Sequence, residues 1–155
     1  MLGVGHRFRF TVALAVVTLV AAMAANALPT PDPALEAMKA KLSSASIGDR
    51  PHLCVQIAEH QLTETDKLYA AFEVEDAQTK LTDVVTYSEM ARDYAIQSHK
   101  YQKQTEIAVR VMSRKLSEVL HVLGRDEQAP VREAINRLQR VRDDLLMAMF
   151  PKGAR

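Results

Sequence analysis

The sequence predicts an all-α protein, either an antiparallel helical bundle or helical hairpins built on one long central helix. Residues 77–123 contain no Gly and no Pro, and apolar or small side chains recur through them in alternating steps of three and four. Such steps average about 3.5 residues, the interval that keeps one face of a helix packed against other helices. The stripe is formed by Leu81, Val84, Ser88, Ala91, Ala95, Ser98, Gln102, Thr105, Val109, Met112, Leu116, Val119 and Leu123.

The composition indicates that the core of this bundle is aliphatic. Among 155 residues there is no Trp and only 5% are aromatic, so Leu, Ile, Val, Met and Ala must supply the buried surface. The formal net charge is +1, and it becomes −1 if the first 27 residues, with Arg7 and Arg9, are removed. A chain this close to neutral lacks the basic excess that nucleic-acid binding requires, so we expect no nucleic-acid partner.

Charge is distributed unevenly along the chain. Residues 28–98 carry 12 acidic and 6 basic side chains, a net charge of −6. Residues 99–155 carry 7 acidic and 12 basic side chains, a net charge of +5. One interpretation is that the two halves fold against each other and pair their charged faces. The other is that an acidic end and a basic end attract partners or associate head to tail.

The first 27 residues have the pattern of an export signal. A basic segment at 1–10 precedes an apolar segment at 11–22, and Ala25–Ala27 fits the A-x-A rule for cleavage. We expect cleavage after Ala27 and a periplasmic or secreted protein. The alternative is a retained anchor, because residues 10–28 are about long enough to cross a bilayer.

Residues 28–48 are predicted to be a proline-rich leader followed by a short helix. Three alternating prolines within 28–33 prevent helix formation there, and Asp32 then caps a helix that has Pro33 at its first position. The stripe of that helix is Leu35, Met38 and Leu42. The predicted divisions of the chain are a signal peptide at 1–27, the leader and short helix at 28–48, a helical domain at 49–150 and a C-terminal tail at 151–155.

Within the helical domain, polar residues and the few Gly and Pro residues mark the helix ends. We expect Asp49 to cap the second helix and Asp76 to cap the long one. Gly124 should end the long helix, and Pro130 should open the last helix. The expected inward face of the second helix is Cys54, Ile57, Ala58, Gln61, Leu62, Thr65, Leu68, Tyr69 and Phe72. That of the last helix is Val131, Ala134, Ile135, Leu138, Val141, Leu145 and Met149.

The stretch 77–123 is compatible with two architectures. Uninterrupted, it would be a helix about 70 Å long at 1.5 Å per residue. A bend near 98–103 would instead give four helices of about twenty residues in an ordinary antiparallel bundle. The unbroken register and the missing turn residues favour the continuous helix. The polar or small seam from Ser88 to Thr105 indicates either a close-packed contact or the position of the bend.

No motif of nucleophilic catalysis is present, and we expect a protein that is not an enzyme. A G-x-S-x-G sequence is absent, and the single cysteine lies among apolar residues on the expected inward face of the second helix. We interpret Cys54 as a small buried hydrophobe. The second interpretation is a cross-link between two chains.

The signal for a metal site is weak. Glu118 and His121 form one Glu-x-x-His pair on a shared helical face, but ferritin-like di-iron bundles need two such pairs and further glutamates. We therefore expect no metal site, and Glu118 and His121 are its only candidates. His60 and Glu64, four residues apart, are interpreted as an exposed pair.

No cofactor motif appears either. Covalent haem attachment through C-x-x-C-H is absent, and no Gly-rich loop for phosphate is present. Haem held without a covalent bond would need inward Met or His side chains. Met38 and Met112 are the candidates, although core packing explains both.

The last helix carries a basic outer face formed by Arg132, Arg137, Arg140 and Arg142. Such a face is usually solvated or paired with acids, for which Glu73, Glu75 and Asp76 are available. The alternative is contact with an anionic surface of the cell envelope.

Two resemblances follow from local sequence. The segment Val141–Phe150, after a long helix rich in Glu and Arg and an export signal, resembles a group of small uncharacterised exported bacterial helical proteins. That resemblance implies no activity, cofactor or catalytic residue. The segment Leu62–Asp66 is similar to the L-T-x-x-Q motif of periplasmic helical chaperones, with Asp66 in place of the Gln.

These observations predict an exported, non-enzymatic helical scaffold or protein-interaction protein. It is expected to bind a protein partner or to self-associate through the exposed part of the long helix's seam. One alternative is a metal- or haem-binding helical bundle. Another is a chaperone-like binder of unfolded chains that uses the apolar faces of the first and last helices.

Overall fold

A computed structural model describes residues 31–152 as α-helices joined by short turns, with no strand in that range. The helices are α1 (Pro33–Ser44), α2 (Arg50–Ala70), α3 (Val74–Ser98), α4 (Gln102–Leu120) and α5 (Gln128–Met149). The predicted all-α class is confirmed. The predicted signal at 1–27, the following residues to Thr30, and residues 153–155 lie outside the described part of the chain.

The first helix begins where the sequence predicts. Asp32 Oδ1 accepts hydrogen bonds from the backbone N–H groups of Ala34 (2.9 Å) and Leu35 (3.4 Å), and Pro33 occupies the first turn. α1 packs across α2 and α3 through a small apolar cluster that also buries Cys54. The cap and the buried stripe together explain why so short a helix is ordered, since helices of this length are marginal alone.

The other four helices form two antiparallel hairpins, α2–α3 and α4–α5, that lie side by side. Arg137 of α5 pairs with Glu89 of α3 at 2.7 Å, and further along both helices Asp144 pairs with Arg92 at 2.9 Å. Because the residue numbers rise together, α3 and α5 run in the same direction. The C-terminal ends of α2 and α4 likewise line a common cleft.

This topology gives the bundle two distinct ends. The cleft end, residues 66–80 and 118–128, contains the α2–α3 and α4–α5 turns. The tail end, residues 41–50, 97–104 and 145–152, contains the α1–α2 turn, the α3–α4 turn and the C-terminal end of α5.

The aliphatic core that the composition predicts is present between the hairpins. Its main cluster is Ala58, Leu62, Tyr69, Ala77, Leu81, Val84, Val85, Ala95, Val109, Met112, Leu116, Val131, Ala134, Leu138, Val141 and Leu145. Every residue of the predicted seam is buried or half-buried within this same chain. The expected exposed part of the seam is therefore not observed. Self-association itself stays a prediction.

The preference for a continuous helix over 77–123 is wrong, and the bend near 98–103 is observed. α3 ends at Ser98 and α4 begins at Gln102, with His99 at φ 57° and Tyr101 at φ 61°. The Tyr101 ring stacks on His52 with centroids 5.7 Å apart, which helps to hold the turn. The bend lets both halves of the stripe bury each other in one compact bundle.

Three other predicted helix ends are displaced. α3 begins at Val74 rather than after a cap at Asp76, and α4 ends at Leu120, ahead of Gly124. α5 begins at Gln128, two residues before Pro130. Each helix end follows the packing of the turn rather than the strongest local sequence signal.

Asp49 stands at the N-cap of α2, but its side chain makes no capping hydrogen bond. Its Oδ2 instead accepts a hydrogen bond from the Ser46 hydroxyl at 2.6 Å, within the α1–α2 turn. The predicted position of Asp49 at the start of α2 is confirmed, but its predicted role as a side-chain cap is wrong.

A His99→Gly substitution tests the strained turn. Left-handed backbone disfavours residues with a Cβ, so glycine should raise the free energy of unfolding by about 1 kcal/mol. Urea titration followed by circular dichroism measures it. Gln97→Gly, inside the last turn of α3, is the matched control and should lower the free energy by about 1 kcal/mol. Equal losses in both variants would contradict the assignment.

Candidate functional site: an apolar cleft between two turns

The α2–α3 and α4–α5 turns enclose a cleft of about 390 Å³. Its walls are Asp66, Tyr69, Ala70, Phe72, Val74, Val119, Val122, Leu123 and Glu127. Six of these nine side chains are aliphatic or aromatic hydrocarbons, and the two carboxylates and the tyrosine supply the polar groups. A concave, mostly apolar surface with a few polar groups is the usual form of a binding site.

Phe72 stands on one side of the cleft in an unusual backbone conformation. Its φ is 61°, in the left-handed region, and it follows the end of α2. The Phe72 N–H donates to the Tyr69 carbonyl (3.1 Å) and the Glu73 N–H donates to the Leu68 carbonyl (2.9 Å). This is the Schellman pattern, whose left-handed position is normally glycine.

The side chain of Phe72 is 88% exposed, and Val122 across the cleft is 82% exposed. They are the two most exposed large apolar side chains among residues 31–152. The sequence placed Phe72 on the inward face of α2, which is wrong. The apolar spacing of α2 extends to Phe72 in the sequence, although the helix ends at Ala70. The left-handed backbone at Phe72 then directs its ring outward.

Tyr69 forms part of the cleft wall and carries a buried hydroxyl. The residue is only 7% exposed, and its hydroxyl has no hydrogen-bond partner among the described residues. Loss of water raises the pKa of Tyr69, and the negative charge of Glu127 raises it further. An unpaired buried hydroxyl costs stability, and the Tyr69 oxygen is shielded from solvent, as are the unpaired Gln61 Oε1 and Thr105 Oγ1.

Asp66 contributes a carboxylate to the rim. Loss of water is the largest cause that raises the pKa of Asp66; Lys115 lowers it and Glu118 raises it. With Glu127 on the other side, the rim is acidic around an apolar interior. The cleft is therefore suited to an apolar group whose flanking charges are positive or absent.

Glu118 and His121, the weak metal candidates, are both exposed near the end of α4. No group of three His, Cys, Asp or Glu side chains within residues 31–152 is arranged to hold a metal ion. Met112 is buried in the main core, and Met38 packs against the α1 cluster. No feature of the described residues adds support for haem binding, which therefore stays a prediction.

The predicted exposed pair of His60 and Glu64 is wrong. The His60 ring donates a hydrogen bond to Asp32, with Nε2 and Oδ2 2.6 Å apart, and this bond is the largest cause that lowers the pKa of Asp32. Glu64 instead pairs with Lys67 at 2.7 Å. His60 therefore ties the cap of α1 to α2, a structural use that sequence spacing could not show.

The basic outer face of α5 is largely paired. Arg137 donates two hydrogen bonds to Glu89, and Arg142 donates to the buried Glu106 at 2.7 Å. Arg140 donates to Glu133 on its own helix, and Arg132 donates to Gln128. Pairing with acids was predicted, but not with these partners. Contact with an anionic surface stays a prediction.

The predicted apolar stripes of α1 and α5 are buried or half-buried against the rest of the chain. The chaperone alternative stays a prediction. Among residues 31–152, no helix combines the length and apolar character needed to cross a membrane. Comparison of the chain with protein-family models, with curated proteins and with solved structures finds no match.

Cys54 is completely buried, as predicted, and its thiol is free. Burial raises the pKa of Cys54 to about 12, so the thiol is not ionised at neutral pH. A protonated thiol away from solvent is a poor nucleophile. Its contribution is to the packing of the α1 cluster.

We expect Cys54 in the native protein to react with a soluble disulfide reagent at pH 8 at least about 100-fold more slowly than in the unfolded chain. Cys54→Ser should lower the free energy of unfolding by about 1–3 kcal/mol, because it buries a hydroxyl without a partner. Cys54→Ala is the control for lost volume alone. Rapid labelling of the folded protein would overturn the assignment.

Two substitutions in the cleft should stabilise the free protein. Phe72→Gly removes left-handed strain, and Tyr69→Phe removes the unpaired hydroxyl, so each should raise the free energy of unfolding by about 1 kcal/mol. Ala71→Gly, in the same turn at negative φ, is the control and should give no gain. A loss of stability in both cleft variants would show that the Phe72 side chain and the Tyr69 hydroxyl stabilise the fold instead.

Proposed function

We propose that this chain is a non-enzymatic interaction protein that binds an apolar segment of a protein partner in the cleft at the α2–α3 and α4–α5 turns. The observation that carries the proposal is the pair of flanking side chains, Phe72 and Val122, exposed to 88% and 82% around a concave apolar surface. Exposed apolar side chains that cluster around a concavity are typical of binding surfaces.

The polar groups of the cleft support the same proposal. Asp66 and Glu127 favour a partner segment with basic flanks over an acidic one. A site of this kind orients a partner without needing a nucleophile or a metal.

The strain at Phe72 also supports a functional role. A residue with a Cβ in left-handed backbone costs free energy, and its exposed ring makes little contact with its own chain. Strained residues of this kind tend to occur at binding sites and switches. The proposed location outside the cytoplasmic membrane rests only on the signal predicted at 1–27.

Photo-crosslinking in the native host tests the proposal. A benzophenone side chain at position 72 should give one discrete adduct, because a partner segment lies against it. The same group at Thr86, exposed on α3 away from the cleft, is the control and should give none. No adduct at position 72, or equal adducts at both positions, would contradict the proposal.

A measurement with purified protein gives an independent readout. The neutral dye Nile red should bind the wild-type cleft with a rise in fluorescence, and Phe72→Gly should reduce that rise several-fold, since it removes the largest exposed ring. His99→Gly, which relieves a left-handed residue at the tail end, should leave the signal unchanged. Equal signals from all three proteins would place the exposed apolar surface elsewhere.

A further inference from the structure

We propose that the occupant of the cleft is the tail end of a second copy of this chain, so that the protein assembles head to tail. This inference rests on the proposed function, because it names the partner of the same cleft. It requires that the two ends of one bundle complement each other in charge and in apolar surface.

The charges of the two ends are opposite and nearly equal. The cleft end, residues 66–80 and 118–128, carries 7 acidic and 3 basic side chains, a net charge of −4. The tail end, residues 41–50, 97–104 and 145–152, carries 1 acidic and 5 basic side chains, a net charge of +4. Both sets contain 26 residues. Asp143 and Asp144 lie just outside the tail set, and including them would leave it with 3 acidic and 5 basic side chains, a net charge of +2.

The tail end also exposes apolar side chains of the right kind. Phe150 is 71% exposed and Met147 is 58% exposed, at the C-terminal end of α5. Lys100 of the α3–α4 turn and Lys103 in the first turn of α4 are exposed at the same end, as is Lys152. The tail end thus combines exposed apolar side chains with exposed lysines, and the cleft is an apolar recess with an acidic rim.

The charges of the two ends favour cleft-to-tail pairing over cleft-to-cleft pairing. Two cleft ends facing each other would bring together two surfaces that each carry a net charge of −4, and like charges oppose association. Head-to-tail contact leaves one free cleft and one free tail in every open assembly. Such heterologous contacts close into rings or continue as filaments.

Two single substitutions block one end each. Val122→Asp places a charge at the mouth of the cleft, and Phe150→Asp places one at the tail; both positions are exposed, so the fold should survive. Thr86→Asp on the outer side of α3 is the matched control. Thermal unfolding followed by circular dichroism verifies that all three variants are folded.

Sedimentation velocity of protein purified from its native compartment gives the test. Wild type and Thr86→Asp should form species larger than the monomer at about 50 mM salt, and these should weaken at about 500 mM as screening increases. Val122→Asp and Phe150→Asp alone should each associate at least about tenfold more weakly. Their equimolar mixture should form a one-to-one dimer and nothing larger, through the one intact cleft and the one intact tail.

Three results would overturn the inference: a monomeric wild type at low salt, oligomers that persist in either single variant, or a Phe150→Asp protein that dimerises through its own cleft. The proposed function is separable from these outcomes. If crosslinking at position 72 yields an adduct with a different protein while wild type is monomeric, the cleft binds a partner and only the choice of a second copy fails. If no adduct forms either, both proposals fail.

Discussion

The reversal of the chain at His99–Tyr101 is the constraint on which the rest of the architecture depends. Two non-glycine residues adopt left-handed backbone there, and the stacking of Tyr101 on His52 ties the turn to the start of α2. Because the chain reverses, the long apolar stripe folds back on itself and closes a core. The same reversal brings the α2–α3 and α4–α5 turns to one end, which creates the cleft.

Polar contacts fix the register in which the hairpins pack. Gln61 of α2 is completely buried and donates to Asp83 of α3, and the buried carboxylate of Glu106 is held by Arg142. Removing one partner of such a pair leaves a buried polar group unsatisfied, so these pairs disfavour slipped arrangements more than they add net stability. A fixed register matters for function because the cleft is built from two separate turns.

The sequence predicted the parts of the fold that follow from local periodicity. The stripe through 77–123, the burial of Cys54 and the cap at Asp32 are all observed. The sequence indicated a possible bend near 98–103 but favoured a continuous helix, because His99 and Tyr101 are not residues that usually mark a left-handed turn. Phe72 was assigned to the core because the helical period extends past the residue at which α2 stops.

Most of the candidate site could not be predicted from the sequence. Tyr69 lines the cleft together with Val119 of α4 and Glu127 of the α4–α5 turn, which sequence spacing does not bring together. The division of charge into −6 and +5 halves was visible, but only the topology assigns charges to the two ends of a bundle. His60 shows the same limit, since its partner Asp32 is 28 residues away.

A distance measurement by pulsed electron paramagnetic resonance tests the reversal most directly. Spin labels at Thr79 and Glu118, in a Cys54→Ala background and diluted with unlabelled protein, report the separation between the start of α3 and the end of α4. The bundle is expected to give a main distance below about 30 Å, since packed helices lie about 10 Å from their neighbours. A main distance near 58 Å, which about 39 residues of unbroken helix would span, would contradict it.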